Sequence, residues 1–116
     1  MPFCLKKCSY CDFYSTQALV RLPAYVASLE QEIQIRTGRS PQPGLVDGVG
    51  LAPQHVNTLY FGGGTPSLLS LDAVEKILTT LHACYQVAPD AEITFEVNPG
   101  TVDQVYLAGL RSLGVN

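Results

Sequence analysis

The sequence is poor in charged residues. They make up 15% of the chain, below the roughly 25% usual for soluble domains, which favours strands covered on both faces, as in a buried parallel sheet. The net charge of −3 argues against a nucleic-acid partner. No apolar run approaches the roughly 20 residues of a membrane span. Residues 1–11 carry two lysines and three cysteines rather than a signal peptide's apolar stretch, so we expect a cytoplasmic protein.

The sequence also lacks the spread of cysteines that a disulfide framework needs. Three of the four cysteines, Cys4, Cys8 and Cys11, lie together near the N-terminus, whereas a disulfide-stabilised secreted domain spreads its cysteines along the chain. Metal or redox chemistry is therefore the better interpretation. Cys84 stands alone on a predicted helix, where we expect a small buried core residue.

The spacing of apolar residues predicts helices that alternate with strands. Apolar residues recur at helical spacing after Pro23, and the stretch before Gly62 is rich in β-branched and aromatic residues. Ser70 is a predicted N-cap, and Thr101 with Gln104 matches a capping box. The predicted elements are a helix over 22–37, a long surface loop over 38–55, a strand over 56–61, a helix after 70, a strand over 91–97, a helix over 101–113 and the start of a strand at 115–116.

This order predicts an α/β fold with a parallel sheet and right-handed crossovers. A complete (β/α)₈ barrel needs about 250 residues, so the sheet in 116 residues is expected to be incomplete.

The three clustered cysteines have the spacing CxxxCxxC. A short loop of this kind can supply thiolates to three irons of a [4Fe-4S] cluster and leave the fourth iron open for a substrate or cofactor. A zinc site is an alternative, but it requires a fourth ligand, and His55 and His82 are distant in sequence and expected at the surface. A chance cluster of inert thiols is a further alternative.

Two other segments carry candidate ligand-binding residues. The strand over 56–61 runs into Gly62, Gly63 and Gly64, where the backbone can approach a ligand closely at the carboxyl edge of a parallel sheet. No Lys-Ser or Lys-Thr pair follows, which argues against a phosphate-binding P-loop. Glu96 lies on the polar face at the end of the strand over 91–97, where its carboxylate can accept hydrogen bonds.

Three stretches, PFCLKKCSYCDFYS, LYFGGGTPSLLS and EITFEVNPGT, together resemble the radical S-adenosylmethionine (SAM) proteins of the oxygen-independent coproporphyrinogen III oxidase group. The resemblance covers nearly the whole chain apart from the long loop. Within the group, CSYCDFYS is more similar to the heme chaperone (HemW) subfamily than to the porphyrinogen-oxidising enzymes.

The resemblance implies the N-terminal part of a partial (β/α) TIM-like barrel, truncated at both ends. Family members have a strand before PFC and further strands and a C-terminal domain after GVN, so we expect a fragment. Residues 1–116 would form a partial radical SAM core domain. Its expected parts are a cluster loop over 1–15, a surface loop over 38–55 and βα units over 56–116.

The resemblance also implies the cofactors. Cys4, Cys8 and Cys11 would hold a [4Fe-4S] cluster whose open iron binds the amino and carboxylate groups of SAM. One-electron reduction would then cleave SAM to methionine and a 5′-deoxyadenosyl radical. The residues implied to contact SAM are Tyr10, Gly63, Gly64, Thr65 and Glu96.

Two functions in heme metabolism follow from the resemblance. The favoured one is a heme chaperone that passes heme to an acceptor protein. The alternative is an enzyme that uses the radical to decarboxylate propionates of coproporphyrinogen III. Heme or porphyrinogen and an electron donor for the cluster are the implied partners. The oxidising enzyme is expected to use two SAM molecules and the chaperone one.

Overall fold

The computed structural model describes residues 1–39 and 54–116. Short 3₁₀ turns at Leu19–Arg21, Pro66–Leu68 and Pro99–Thr101 join the longer elements. Residues 40–53 of the predicted surface loop lie outside the described part of the chain. The longer elements are α1 (Leu22–Arg36), β1 (His55–Phe61), α2 (Leu71–Cys84), β2 (Gln86–Phe95) and α3 (Gln104–Ser112).

The two strands pair in parallel, as the alternation of helices and strands predicts. Leu59 pairs with Ile93 and Phe61 with Phe95, and the register is irregular between Val56 and Thr58. β2 begins at Gln86 rather than at residue 91, because its first residues pair with β1 on the far side of that irregularity. The predicted start of the strand was too late, because the residues around position 89 do not alternate between apolar and polar side chains.

The two faces of the sheet differ in their surroundings. On one face, buried residues of α1, α2 and α3 pack against Leu59 and Ile93. On the other face, Tyr60 and Glu92 are exposed and Glu96 is partly exposed. Cys84 is buried in the core, as predicted. The buried core residues are Val26, Ile33, Leu59, Leu69, Val74, Ile77, Leu78, Cys84, Ile93 and Leu110.

Of the two predicted helix caps, Ser70 is confirmed and Thr101 is wrong. Ser70 caps α2, since its side chain accepts a hydrogen bond from the backbone N–H of Ala73. α3 is capped by Asp103, whose Oδ1 accepts from the N–H of Tyr106 at 2.7 Å. Thr101 instead belongs to the preceding 3₁₀ turn, where its hydroxyl donates to the carbonyl oxygen of Asn98.

The last residues run along β2 without forming an assigned strand. The backbone N–H of Asn116 donates to the carbonyl oxygen of Ile93 at 3.1 Å, and Asn116 Oδ1 accepts from the N–H of Ile93 at 2.9 Å. Residues 115–116 therefore lie at the sheet edge where the sequence predicts the next strand. Across residues 1–39 and 54–116, no helix combines the length and apolar character that a bilayer span requires.

Candidate functional site

A cavity of about 760 Å³ lies between the N-terminal loop and the turns that follow β1 and β2. The carboxyl edge of a parallel sheet is the usual place for ligands in α/β folds. Every residue that the sequence proposes as a ligand lines this one cavity, although their roles remain predictions. These residues are Cys4, Cys8, Tyr10, Cys11, Gly63, Gly64, Thr65 and Glu96.

The base of the N-terminal loop is closed by backbone hydrogen bonds. The N–H of Cys4 donates to the carbonyl oxygen of Thr16 at 3.0 Å, and the N–H of Thr16 donates to that of Pro2 at 2.7 Å. Phe3 is 3% exposed and packs edge-on against the ring of Tyr25 in α1, with 5.3 Å between the ring centroids. The loop is thereby anchored on the core at its base, next to Cys4.

The three cysteines of the loop differ in exposure. Cys4 and Cys11 are partly buried, and Cys8 is exposed. Among the residues that the structure describes, no three His, Cys, Asp or Glu side chains are grouped closely enough to hold a metal ion. The thiols therefore share a cavity without standing in ligand geometry.

The donor set fits a cluster with an open iron better than a zinc site. Three thiols without a histidine is the set expected for a [4Fe-4S] cluster whose fourth iron is open to another ligand. A structural zinc site takes four protein ligands. His55 at the start of β1 and His82 in α2 are both exposed, as predicted, and neither lines the cavity.

Gly64 allows the cysteine loop to approach the turn after β1. Its N–H donates to the carbonyl oxygen of Met1 at 2.6 Å. A Cβ atom at Gly64 would lie 2.6 Å from the carbonyl oxygen of Phe3 and 3.0 Å from Sγ of Cys4. The sequence suggests that glycine is needed here to admit a ligand, whereas the structure shows an approach of the chain to itself.

The carboxylate of Glu96 is held at both oxygens. Oε2 accepts a hydrogen bond from the N–H of Gly63 at 3.0 Å, and Oε1 accepts one from the phenol of Tyr60. The bond to Glu96 raises the pKa of Tyr60, because deprotonation would remove the proton that the phenol donates to the carboxylate. A Cβ at Gly62 would lie 2.3 Å from the Tyr60 ring, so glycine there leaves room for the ring.

Tyr60 is a residue that the sequence analysis missed. The sequence marks Tyr60 as part of a strand but not its partner, because only the register of the two strands in the structure places Tyr60 and Glu96 on the same face. Glu92 shares that face but does not line the cavity.

A buried hydroxyl joins the two turns that form one side of the cavity. Ser67 is 4% exposed, and its Oγ accepts a hydrogen bond from the N–H of Asn98 at 3.0 Å. The hydroxyls of Ser67 and Thr101 are also hydrogen-bonded at 2.5 Å. No local signal marks Ser67 in the sequence, since its partners come from a turn more than 30 residues away.

Tyr10 lies at the exposed side of the cavity. It is 86% exposed, and interaction with the side chain of Cys8 raises the pKa of its phenol. The side chain of Tyr10 therefore reaches the loop cysteine rather than the core.

Comparisons with known proteins identify the family to which the chain is similar. The sequence model of the Radical SAM superfamily matches residues 1–116. The chain is 40% identical over 123 residues to the heme chaperone HemW of Synechocystis, and 36% identical over 122 residues to that of Escherichia coli. Each match covers 100% of this chain, but only 27% and 28% of those relatives. The chain therefore spans little more than a quarter of their length.

Oxidase relatives are also similar. The oxygen-independent coproporphyrinogen III oxidase of Synechocystis is 33% identical over 118 residues, which is 100% of this chain and 23% of that protein. The solved structure of coproporphyrinogen III oxidase (HemN) from Escherichia coli, a radical SAM enzyme, superposes with a TM-score of 0.80 and 33% identity. The superposed region covers 100% of this chain and 25% of the oxidase chain.

Gly64→Ala tests whether the close approach of the loop is needed for iron binding. The added Cβ would collide with Phe3 and Cys4, so the loop has to move and we expect iron and acid-labile sulfide per chain to fall several-fold after anaerobic reconstitution. Gly100→Ala is the matched control, because a Cβ there meets only Asn98 Oδ1, at 3.5 Å. Equal iron contents in the two variants would contradict this account.

Proposed function

The chain belongs to the Radical SAM superfamily, and on that basis we propose that it is the N-terminal part of a protein that binds a [4Fe-4S] cluster and SAM and acts in heme metabolism. The observation that carries the proposal is the single cavity that brings three cysteines, the glycine turn and Glu96 together. In this proposal residues 1–116 form one partial core domain, with 1–15 as the cluster loop and 56–116 as βα units.

Cys4, Cys8 and Cys11 would hold three irons of the cluster. A bound cluster with an open iron supplies the one-electron reduction that cleaves the sulfonium of SAM. The base of the loop fixes Cys4 against the core, and the exposed position of Cys8 leaves its side chain room to adjust as a cluster binds.

The turns after β1 and β2 would hold SAM. Glu96 is a suitable acceptor for the amino group of SAM, because Gly63 and Tyr60 already orient its two oxygens. The backbone of Gly63, Gly64 and Thr65 lines the cavity between Glu96 and the cysteines. Tyr10, on the outer loop, would contact the adenine end.

A HemW-type heme chaperone is the function that we favour. The two relatives described above at 40% and 36% identity are both named heme chaperones. The CSYCDFYS segment, which contains two of the proposed cluster ligands, also resembles the corresponding motif of that subfamily. Such a protein would bind heme and pass it to an acceptor protein, and its cluster would require an electron donor.

A coproporphyrinogen III oxidase is the second candidate. The 33% identity to an oxidase and the TM-score of 0.80 against another favour it. The described part of the chain contains the surroundings of the proposed cluster, which both classes would share. The parts of the relatives that this chain does not cover, about three quarters of their length, would distinguish the two functions.

Cluster and SAM binding can be tested together in the full-length protein. We expect about four irons per chain after anaerobic reconstitution, and an EPR signal of the dithionite-reduced protein that shifts when SAM is added, because SAM binds the open iron. Cys84→Ala should retain both properties, since Cys84 is buried in the core away from the cavity. A stable zinc complex, or an EPR signal of the cluster that does not change when SAM is added, would overturn the proposal that this chain binds a cluster and SAM.

The two heme-related functions predict different products. For a chaperone we expect one SAM per chain, heme binding, and transfer of heme to an apo-acceptor protein, without decarboxylation of coproporphyrinogen III under reducing conditions. Heme transfer is followed by absorbance, and decarboxylation by mass spectrometry of the porphyrins after oxidation. Formation of the decarboxylated product together with two bound SAM molecules would favour the oxidase instead.

Glu96→Gln and Tyr60→Phe test the proposed SAM contact. Loss of the charged acceptor should raise the Kd of SAM about tenfold or more, since a hydrogen bond to a charged group contributes roughly 1.5–3 kcal/mol. Tyr60→Phe should raise the Kd by a smaller factor, because Glu96 keeps its bond to Gly63. The Kd is measured by anaerobic calorimetry on the reconstituted protein.

The matched control is Tyr106→Phe. Tyr106 donates its hydroxyl to the carbonyl oxygen of Leu69 at 2.8 Å, and neither residue lines the cavity. The Tyr106 variant should keep the native Kd for SAM, and the Tyr60, Glu96 double variant should be no weaker than Glu96→Gln alone. Additive effects of Tyr60 and Glu96 would show that the phenol does not act through the carboxylate.

A further inference from the structure

Thr65 contacts one of the proposed cluster ligands directly. It follows the three glycines after β1, and its side chain is only 7% exposed. Its hydroxyl Oγ1 donates a hydrogen bond to Sγ of Cys4 at 3.5 Å. The contact joins residues that are 61 positions apart in the sequence.

The hydroxyl proton of Thr65 is committed to this sulfur. Thr65 stands at the N-cap position of the Pro66–Leu68 turn, where its oxygen accepts no capping hydrogen bond, and its proton is donated to Cys4. A hydroxyl has one proton to donate. Because the side chain is almost fully buried, little of it is left to face a ligand in the cavity.

Cys4 differs from Cys8 in its surroundings. Thr65 donates a hydrogen bond to the sulfur of Cys4, and a Cβ at Gly64 would lie 3.0 Å from that sulfur, whereas Cys8 is exposed. Water can replace an exposed hydrogen bond with little change in energy, but one shielded from water acts in a medium of lower dielectric constant. Because Thr65 is buried and Cys4 is partly buried, the Thr65–Cys4 bond is better shielded than a contact at Cys8 would be.

We propose that Thr65 is a positioning residue for Cys4 and that its hydrogen bond raises the reduction potential of the cluster. This inference rests on the proposed [4Fe-4S] cluster. Reduction adds one negative charge to the cluster and its thiolates, so a donor directed at a ligand sulfur stabilises the reduced state more than the oxidised one. Hydrogen bonds to the sulfurs are among the factors that set the potentials of such clusters.

The experiment compares Thr65→Val with Thr65→Ser in the full-length reconstituted protein. Valine keeps the shape of threonine and removes the hydroxyl, whereas serine keeps the hydroxyl. An EPR-monitored redox titration without SAM should give Thr65→Val a potential that is more negative by up to about 59 mV, a tenfold change in the equilibrium constant of a one-electron reduction. Thr65→Ser should restore the native potential.

Thr80→Val is the matched control. It makes the same substitution at a partly buried threonine of α2, whose hydroxyl donates to Glu30 Oε1 at 3.2 Å and which does not line the cavity. Its potential should equal that of the native protein. A shift of the same size in Thr80→Val, or an unchanged potential in Thr65→Val with about four irons bound, would overturn the inference.

The outcomes separate this inference from the proposed function. A native protein that binds no four-iron cluster contradicts the proposed function, whereas a native cluster with an unaffected Thr65→Val potential contradicts only the role of Thr65. If Thr65→Val binds too little iron for a titration, Thr65→Ala replaces it. Loss of iron from both variants, with iron retained in Thr65→Ser and Thr80→Val, would support the positioning role, and loss from Thr80→Val as well would overturn it.

Discussion

The close approach of residues 1–4 to the turn after β1 is the contact on which the site depends. The N–H of Gly64 reaches the carbonyl oxygen of Met1, and the missing side chain at Gly64 leaves space for Phe3 and Cys4. Phe3 in turn is buried against Tyr25 of α1. The hydrophobic core therefore determines where the first cysteine lies, and the carboxyl edge of the sheet determines what it faces.

Local patterns in the sequence were enough to predict most helices and strands, but not the contacts that one element makes with another. Ser70 was recognisable as an N-cap because its partner is three residues away. Asp103 was overlooked because Thr101 also matches a capping box, and only the turn formed by Asn98 and Gly100 decides between the two. β2 was predicted too short because residues before 91 pair with β1 despite their broken alternation.

The candidate ligands were predictable as residues but not as an arrangement. Their motifs are contiguous in sequence, so spacing and resemblance were enough to select them. Tyr60 and Ser67 are different, since the first acts on Glu96 and the second on Asn98, each more than 30 positions away. The contact of Gly64 with Met1, Phe3 and Cys4 was not predictable either, because a glycine required for contact with its own chain cannot be told from one required for a ligand by sequence alone.

The hydroxyl of Ser67 has a thermodynamic consequence for the cavity. Its bonds to Asn98 and Thr101 hold the turn after β2 against the turn after β1 before any ligand is present. A loop that becomes ordered on binding loses conformational entropy, and this makes the binding free energy less favourable by roughly 1–2 kcal/mol per backbone residue. Since this side of the cavity is already ordered, the entropic cost of binding falls mainly on the exposed cysteine loop.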